Sequence, residues 1–498
     1  MTGTTMTDAL THGVSRMGTV VRAIPRTGSA TTGWHLRSAD ASSGIAGGDE
    51  RAEQLDDDAL APAPMSKRVR IESLWNSVKF VRRQGDVLFG DAAGGSDVLC
   101  YDLAGGPGPV TVVCNPAHIT SIMTADPAIA PSATRQSPLR PIVGPNSVLT
   151  SIGERHRRQR ALLMPRFHGR SVAAYRESIE RATAARIDAW PVGEPVRLAD
   201  LAQHLTLDVI MSAVFGLPDG RPTTEAERAL RTALIRALHM STQPVATAAQ
   251  LMNGFSENPV GVTKLVLRPV DRAISGILAE RRAESGRRER TDITALLLDA
   301  RTEDGQPLSD GEIRDELLTL VLAGHETTAN TVAWTFERLT RNPGVYDDAR
   351  EAVAAGDDGY VAALLNESMR NRPVVPMVAR EMLRPWRFGT TLVPSGMTVL
   401  VSILLLHHRD DLYPRPFAFD PGRFLGVRPA PHTLLPFGGG NRRCLGAALA
   451  MAELTTVVTE ILRRVDLETH DRPAERPRHR NVTMIPQDGG LVRALAVR

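Results

Sequence analysis

The sequence predicts a mainly α-helical fold with small β-sheets, and three patterns in it lead there. Helical periodicity runs through most of residues 153–334, strand-like stretches occur at residues 97–114 and 386–406, and the strand–helix–strand rhythm of a doubly wound sheet is missing. Composition agrees, since 42% apolar and 23% charged residues over 498 positions describe a globular chain able to bury a large core. A net charge of +3 is near balance, whereas a nucleic-acid binder needs a concentrated basic face. The three cysteines, Cys100, Cys114 and Cys444, suggest neither a disulfide framework nor, with the 13 histidines, a zinc cluster. A reduced, cytoplasmic protein is expected.

Residues 1–64 read as a disordered leader and residues 65–498 as a single domain. The leader is rich in Thr, Ser, Ala and Gly and ends in Asp56-Asp57-Asp58, Pro62 and Pro64. Up to Arg37 it carries six Arg or His residues against Asp8 alone, a faint likeness to a transit peptide. It lacks a clear amphipathic helix, so the preferred reading starts the natural protein at Met65. Residues 97–102 and 110–114 read as strands joined by Gly105-Gly106-Pro107-Gly108-Pro109, after which Pro116 opens a helix. Helices are expected at 201–215, 225–239 and 269–285. Ser309, with Glu312 three residues on, caps a long helix through Leu317, Leu318, Val321 and Leu322. Residues 397–406 follow Pro394-Ser395-Gly396 and read as a buried strand, about half of the ~20 residues that a membrane span needs. No membrane span is expected.

The chemistry concentrates in Phe437-Gly438-Gly439-Gly440-Asn441-Arg442-Arg443-Cys444-Leu445-Gly446. Glycine-rich backbone turns sharply and lets a flat ligand approach. Cys444 stands where this loop meets a helical run, 447–462, whose unpaired N–H groups favour a thiolate, as do two adjacent arginines. Thiolate is the form that ligates iron, and it pushes electron density toward bound oxygen. A phosphate cradle is a competing reading, but no Lys-Ser or Lys-Thr follows and no βαβ strand precedes. A structural buried thiol is the other.

This loop resembles the signature of the cytochrome P450 superfamily, with Phe, Gly, an Arg two before the Cys, and Cys-x-Gly in their places. Three further segments are similar to the family's marks, in the family's order. They are Ala323-Gly324-His325-Glu326-Thr327-Thr328 of a distal helix, Glu367-Ser368-Met369-Arg370, and Phe419-Asp420-Pro421-Gly422-Arg423-Phe424. Departures are Gly422, where the family often has Glu, and His156, where many members have Trp. The resemblance implies the P450 fold, with haem b buried between the long distal helix and the proximal Cys-loop helix. It makes Cys444 the axial ligand, with Phe437 and Gly446 beside the cofactor. It implies that His156, Arg160 and Arg442 bind the propionates, with Arg380 a weaker candidate, and that Glu326 and Thr327 form the acid–alcohol pair that delivers protons.

The residues support these roles independently. His156 and Arg160 stand at i and i+4 on one helix face, while Arg155, Arg157 and Arg158 point elsewhere and offer a patch to an acidic electron donor. Glu367 and Arg370, at i and i+3, project from one helix face; the resemblance implies that Arg423 completes with them a charge-assisted network that is structural and not catalytic. Gly324 inside a helix costs about 1 kcal/mol relative to Ala, which a local opening for dioxygen and water would explain. The plainer alternative has both threonines bonding back along the helix and Glu326 solvated. His325 has no assigned role.

The expected activity is insertion of one atom of O2 into a hydrophobic organic substrate. Electrons come from a separate partner, because no flavin or nicotinamide fingerprint occurs. Similarity to soluble bacterial-type members implies a ferredoxin and its reductase. A peroxygenase or isomerase on the same fold would usually lack the acid–alcohol pair, and a haem sensor would need neither that pair nor a donor patch. Substrate recognition is expected in residues 127–149 and 217–269, where Leu234, Leu238, Met240, Leu251, Met252 and Phe255 are apolar enough to line a pocket or simply to pack.

Overall fold

In a computed structural model of the chain, the described residues run from 75 to 498, without 76, 81–82, 103–108, 136, 242–257, 287–288 and 470–471. The expected leader, most of the expected turn at 105–109, and Leu251, Met252 and Phe255 lie outside them, as does the side chain of Leu238.

The helices in chain order are α1 (Gln84–Ala92), α2 (Pro116–Thr124), α3 (Arg140–Val143), α4 (Gly153–Leu163), α5 (Arg170–Asp188), α6 (Leu198–Phe215) and α7 (Glu225–Ser241). They continue with α8 (Gly261–Ala283), α9 (Ile293–Asp299), α10 (Asp310–Thr340), α11 (Pro343–Ala355), α12 (Asp358–Asn371), α13 (Ile403–His407) and α14 (Ala447–Arg464). The strands are β1 (Val98–Tyr101), β2 (Val110–Val113), β3 (Pro195–Arg197), β4 (Met377–Glu381), β5 (Trp386–Phe388), β6 (Thr391–Val393) and β7 (Thr398–Ser402). Four more close the chain: β8 (Val465–Thr469), β9 (Pro477–Arg480), β10 (Thr483–Pro486) and β11 (Leu491–Val497). The largest sheet has four strands in the order β1-β2-β7-β4, and β2 and β7 pair in parallel. This is the expected helical fold with small sheets.

The axis of the molecule is α10. Its start obeys the sequence, with Ser309 Oγ accepting from the Glu312 N–H while Glu312 returns a bond to Ser309. Along one side lies α6, of whose eighteen residues twelve are buried. Its length and apolar composition would suit a membrane span, but two-thirds of it is buried inside the fold, so packing accounts for its character.

Two expectations change. Residues 397–406 do not form one strand, because Ser402 caps a helix by accepting from the Leu405 N–H at 3.2 Å. The chain thus turns from β7 into α13 although the apolar run is continuous. The helix expected from Pro269 begins eight residues earlier, at Gly261, with Pro269 in its interior. The buried stripe Leu267, Val270, Ile274 and Ile277 spans the proline and outweighs its helix penalty of about 3 kcal/mol.

Candidate active site

The Cys444 loop is shaped by its glycines. Gly438 and Gly440 both have positive φ, +64° and +61°. A Cβ at Gly440 would lie 2.2 Å from the carbonyl oxygen of Met123, so only glycine lets the loop rest on α2. The Cys444 N–H then donates to the Phe437 carbonyl at 2.8 Å, closing the loop ahead of α14. Phe437 serves there through its backbone, and its ring packs at the edge of the main core.

Facing this loop across a cavity of about 220 Å3 is the side of α10 that carries Thr319, Leu320, Ala323, Gly324, Thr327 and Thr328. Cys444 and Gly446 line the other side, and Val148, Leu149, Phe167 and Ile210 complete an apolar wall. The Cys444 side chain is exposed to this cavity while the surrounding protein encloses it. Burial is the main influence on its thiol and raises the pKa; the Gly446 N–H, Arg160 and Arg443 act in the opposite direction. The helix terminus and the arginines therefore pull as expected from the sequence, but desolvation wins. Coordination of a cation would supply the remaining driving force for the thiolate.

At one edge of the cavity basic side chains gather. His156 and Arg160 of α4 and Arg442 of the Cys loop all line it, as expected. Arg380 is 4% exposed on β4, bonds to Ser132 and Ala379, and stands close enough to act electrostatically on both His156 and Arg442. Among the described residues none of the four has a carboxylate partner. Burial, followed by repulsion from Arg442, Arg160 and Arg380, lowers the His156 pKa to about 4. Burial, with Arg380 and Arg160 adding, lowers that of Arg442 to about 10. Mutually repelling arginines around a neutral imidazole, buried or half-buried beside a thiol, are a site for an anionic ligand. A flat iron-binding cofactor with two carboxylates at one edge fits this donor set, with sulfur for the metal and cations for the acids.

The distal residues are less simply arranged. Thr327 lines the cavity, but its hydroxyl donates to the Ala323 carbonyl at 2.8 Å, and Thr328 does likewise to Gly324 at 3.2 Å. Glu326 is neither solvated nor at the cavity wall; it accepts from Arg480 at 2.8 Å and from Thr483 at 2.9 Å, on the β9–β10 hairpin. Helix α10 runs through this segment without interruption. Gly324 has a different purpose from the expected opening, since a Cβ there would come within 2.8 Å of Ile210 Cδ1. It lets α6 approach α10 closely. His325 is fully buried, with Nδ1 bonded to the Val321 carbonyl.

Behind the Cys loop, Glu367 and Arg370 are fully buried and form a bidentate pair at 2.6 and 2.7 Å. Arg423 approaches Glu367 at 3.7 Å, an ion pair without a hydrogen bond. The expected donor patch on α4 is largely neutralised, with Arg155 paired to Glu312, Arg157 to Glu154 and Arg158 to Glu303. Of the expected recognition segments, Val148 and Leu149 reach the cavity, whereas Leu234 is buried in the main core.

Sequence reasoning missed Ile210, Phe167 and Glu453. Glu453 lines the cavity, is 3% exposed, and burial raises its pKa well above the ordinary value. A signal existed, because Leu449, Glu453 and Val457 share the buried stripe of α14, where a carboxylate does not belong.

The cytochrome P450 family profile matches residues 99–493. Cytochrome P450 135B1 of Mycobacterium tuberculosis is 37% identical over 400 residues, 79% of this chain and 84% of the relative. Cytochrome P450 138 of Mycobacterium bovis is 35% identical over 421 residues, 83% of this chain and 90% of the relative. The fold superposes on that of a retinoic-acid-bound cyanobacterial cytochrome P450 with a TM-score of 0.69 at 22% identity, covering 85% of this chain and 96% of the other. Relatives more than a third identical across most of the chain, together with a family profile spanning nearly all of the described fold, place this protein in the cytochrome P450 family as a haem-thiolate monooxygenase.

Proposed function

We propose that the cavity binds haem b, whose iron the Cys444 thiolate would hold, and that the enzyme inserts one atom of O2 into a hydrophobic organic substrate using electrons from a ferredoxin and its reductase. The carrying observation is a set of basic groups without acid partners among the described residues: His156, Arg160 and Arg442 at the cavity edge and Arg380 buried behind them, beside one accessible thiol. The haem, when bound, supplies the oxygen and electron-transfer chemistry; the chain supplies the ligand, orientation and a dry pocket.

In this reading Arg160, Arg380 and Arg442 neutralise the two propionates, while His156, held neutral by its surroundings, donates an N–H. Phe437 and Gly446 fix Cys444 through their backbone groups. Val148, Leu149, Phe167 and Ile210 exclude water and favour an apolar substrate. Thr327 turns its hydroxyl from the Ala323 carbonyl into the cavity, and Glu326 passes protons toward it after parting from Arg480. Thr327→Ala is expected to lower product formed per electron consumed by about 10²-fold, with hydrogen peroxide released instead. Unchanged coupling would remove Thr327 from proton delivery.

Arg443 is exposed on the Cys loop and has no ion pair among the described residues, which suits an acidic ferredoxin better than the paired arginines of α4 do. A cytoplasmic location follows from such a donor. Efficient turnover on peroxide alone would overturn the need for one.

The test of the central reading is the absorption spectrum of reduced, carbon monoxide-treated protein beside Cys444→Ser. A red-shifted Soret band lost in the variant is expected. An unshifted band in the wild type would assign the iron to a neutral thiol or another residue, and absence of haem uptake by folded protein would sink the proposal.

A further inference from the structure

Residues 144–151 leave α3, cross the start of the cavity and enter α4, and they are tied down far more heavily than a connecting loop requires. From α10, the Asp315 carboxylate accepts the Asn146 N–H at 3.1 Å and the Glu316 carboxylate accepts the Val148 N–H at 3.1 Å. At Gly144 (φ +82°) a Cβ would lie 2.2 Å from the Asp315 carboxylate, so the strap is pressed against that helix. From α4, Gln159 donates to the Asn146 carbonyl and accepts from the Ser151 hydroxyl. From the Cys loop, Arg442 donates to the Val148 carbonyl at 3.2 Å and to the Ser151 carbonyl.

The residues so held, Val148 and Leu149, are part of the apolar wall of the cavity. Leu149 is 40% exposed, so its own packing does little to fix it. Glu316 is 2% exposed, its second carboxylate oxygen has no partner, and it stands one helical turn before Thr319 and Leu320, which line the same cavity. Burying a carboxyl there to hold one backbone N–H is costly and needs a return.

We propose that Glu316, seconded by Gln159, is a positioning residue that sets the shape of the substrate wall by clamping the 144–151 strap to the distal helix. The consequence for substrates rests on the reading of the cavity given above; the clamp itself does not. Both are tested on the haem-loaded full chain. Amide hydrogen exchange at 146–149 is measured in wild type, Glu316→Gln, Glu316→Leu and Gln159→Leu, alongside spectral titration with 4-phenylimidazole. Glu316→Leu is expected to speed exchange of the Val148 amide at least tenfold and to weaken the probe several-fold, with the carbon monoxide spectrum unchanged. Glu316→Gln keeps an acceptor oxygen and is expected to restore both. Should Glu316→Leu fail to fold, Gln159→Leu carries the test with the same expectation for 146–149. Wild-type exchange and affinity in the leucine variants would overturn the clamp. Faster exchange with unchanged probe affinity would overturn its role in shaping the wall. Folded wild type that binds no probe would count against the cavity reading, leaving exchange alone to decide the clamp.

Discussion

Arg370→Met is expected to destabilise the folded protein by about 3–5 kcal/mol, the range for removing one partner of a buried ion pair. The arginine has five N–H groups and all five are used. Nε and Nη2 donate to the two oxygens of Glu367, Nη1 to the carbonyls of His407 and Pro416, and Nη2 again to Ala418. Its loss strands a fully buried carboxylate and three carbonyls together. Lys, with three donors on a point charge, cannot replace the fork, so Arg370→Lys is expected to fall nearer to Met than to wild type. Glu367→Gln is expected to cost less, because the carbonyl bonds and the Asp420 N–H bond to the side-chain oxygen survive. Urea unfolding of the purified protein gives the comparison, and a loss below about 1 kcal/mol for Arg370→Met would show that the pair adds little. The effect is also expected in the active site. Arg370 holds His407, and His407 Nε2 accepts the Leu435 N–H at 2.8 Å, two residues before Phe437. Weaker haem retention should accompany the loss of stability.

Much of this was legible in the sequence because it is local or stoichiometric. A cap such as Ser309–Glu312 is a contact between residues three apart, and the glycines around Cys444 announce positive φ before any coordinates exist. The i,i+4 placement of His156 and Arg160 needs only helix geometry, and both reach the cavity. What stayed hidden depends on which surface meets which. Gly324 is equally consistent with an opened helix and with a close neighbour, and the position of Ile210, over a hundred residues away, decides for the neighbour. Glu326 has no local partner, so its capture by Arg480 and Thr483 could not be read from spacing. The arginines of α4 look like a free basic patch until Glu303 and Glu312 come to meet them. The strand-to-helix change at Ser402 was written in the sequence, but a continuous apolar run masked one capping hydroxyl.

His407 and its neighbour His408 give the second large expectation, a steep loss of stability in mild acid. Complete burial lowers the His407 pKa to about 3, with repulsion from His408 and Arg370 adding to it, and burial likewise brings His408 to about 3. Both titrate near 6.5 in an unfolded chain. Because the folded values are depressed, the contribution is fully present above pH 6.5 and is lost progressively as pH falls toward 3. Each group removes about 1.4 kcal/mol per pH unit in that window, so at pH 5 the pair together costs about 4 kcal/mol. That is a large share of a typical stability of about 5–15 kcal/mol. The geometry says why His407 does not take a proton easily. His407 Nε2 already accepts the Leu435 N–H, and protonation there would destroy the bond that anchors the approach to the Cys loop. Gln places an acceptor oxygen near that position without titrating, so His407→Gln is expected to lower stability modestly at pH 8. It should also flatten the acid slope by about 1.4 kcal/mol per unit between pH 6 and 5. Urea midpoints from pH 8 to 5 measure both, and parallel curves for wild type and variant would show that His407 is not the group that protonates.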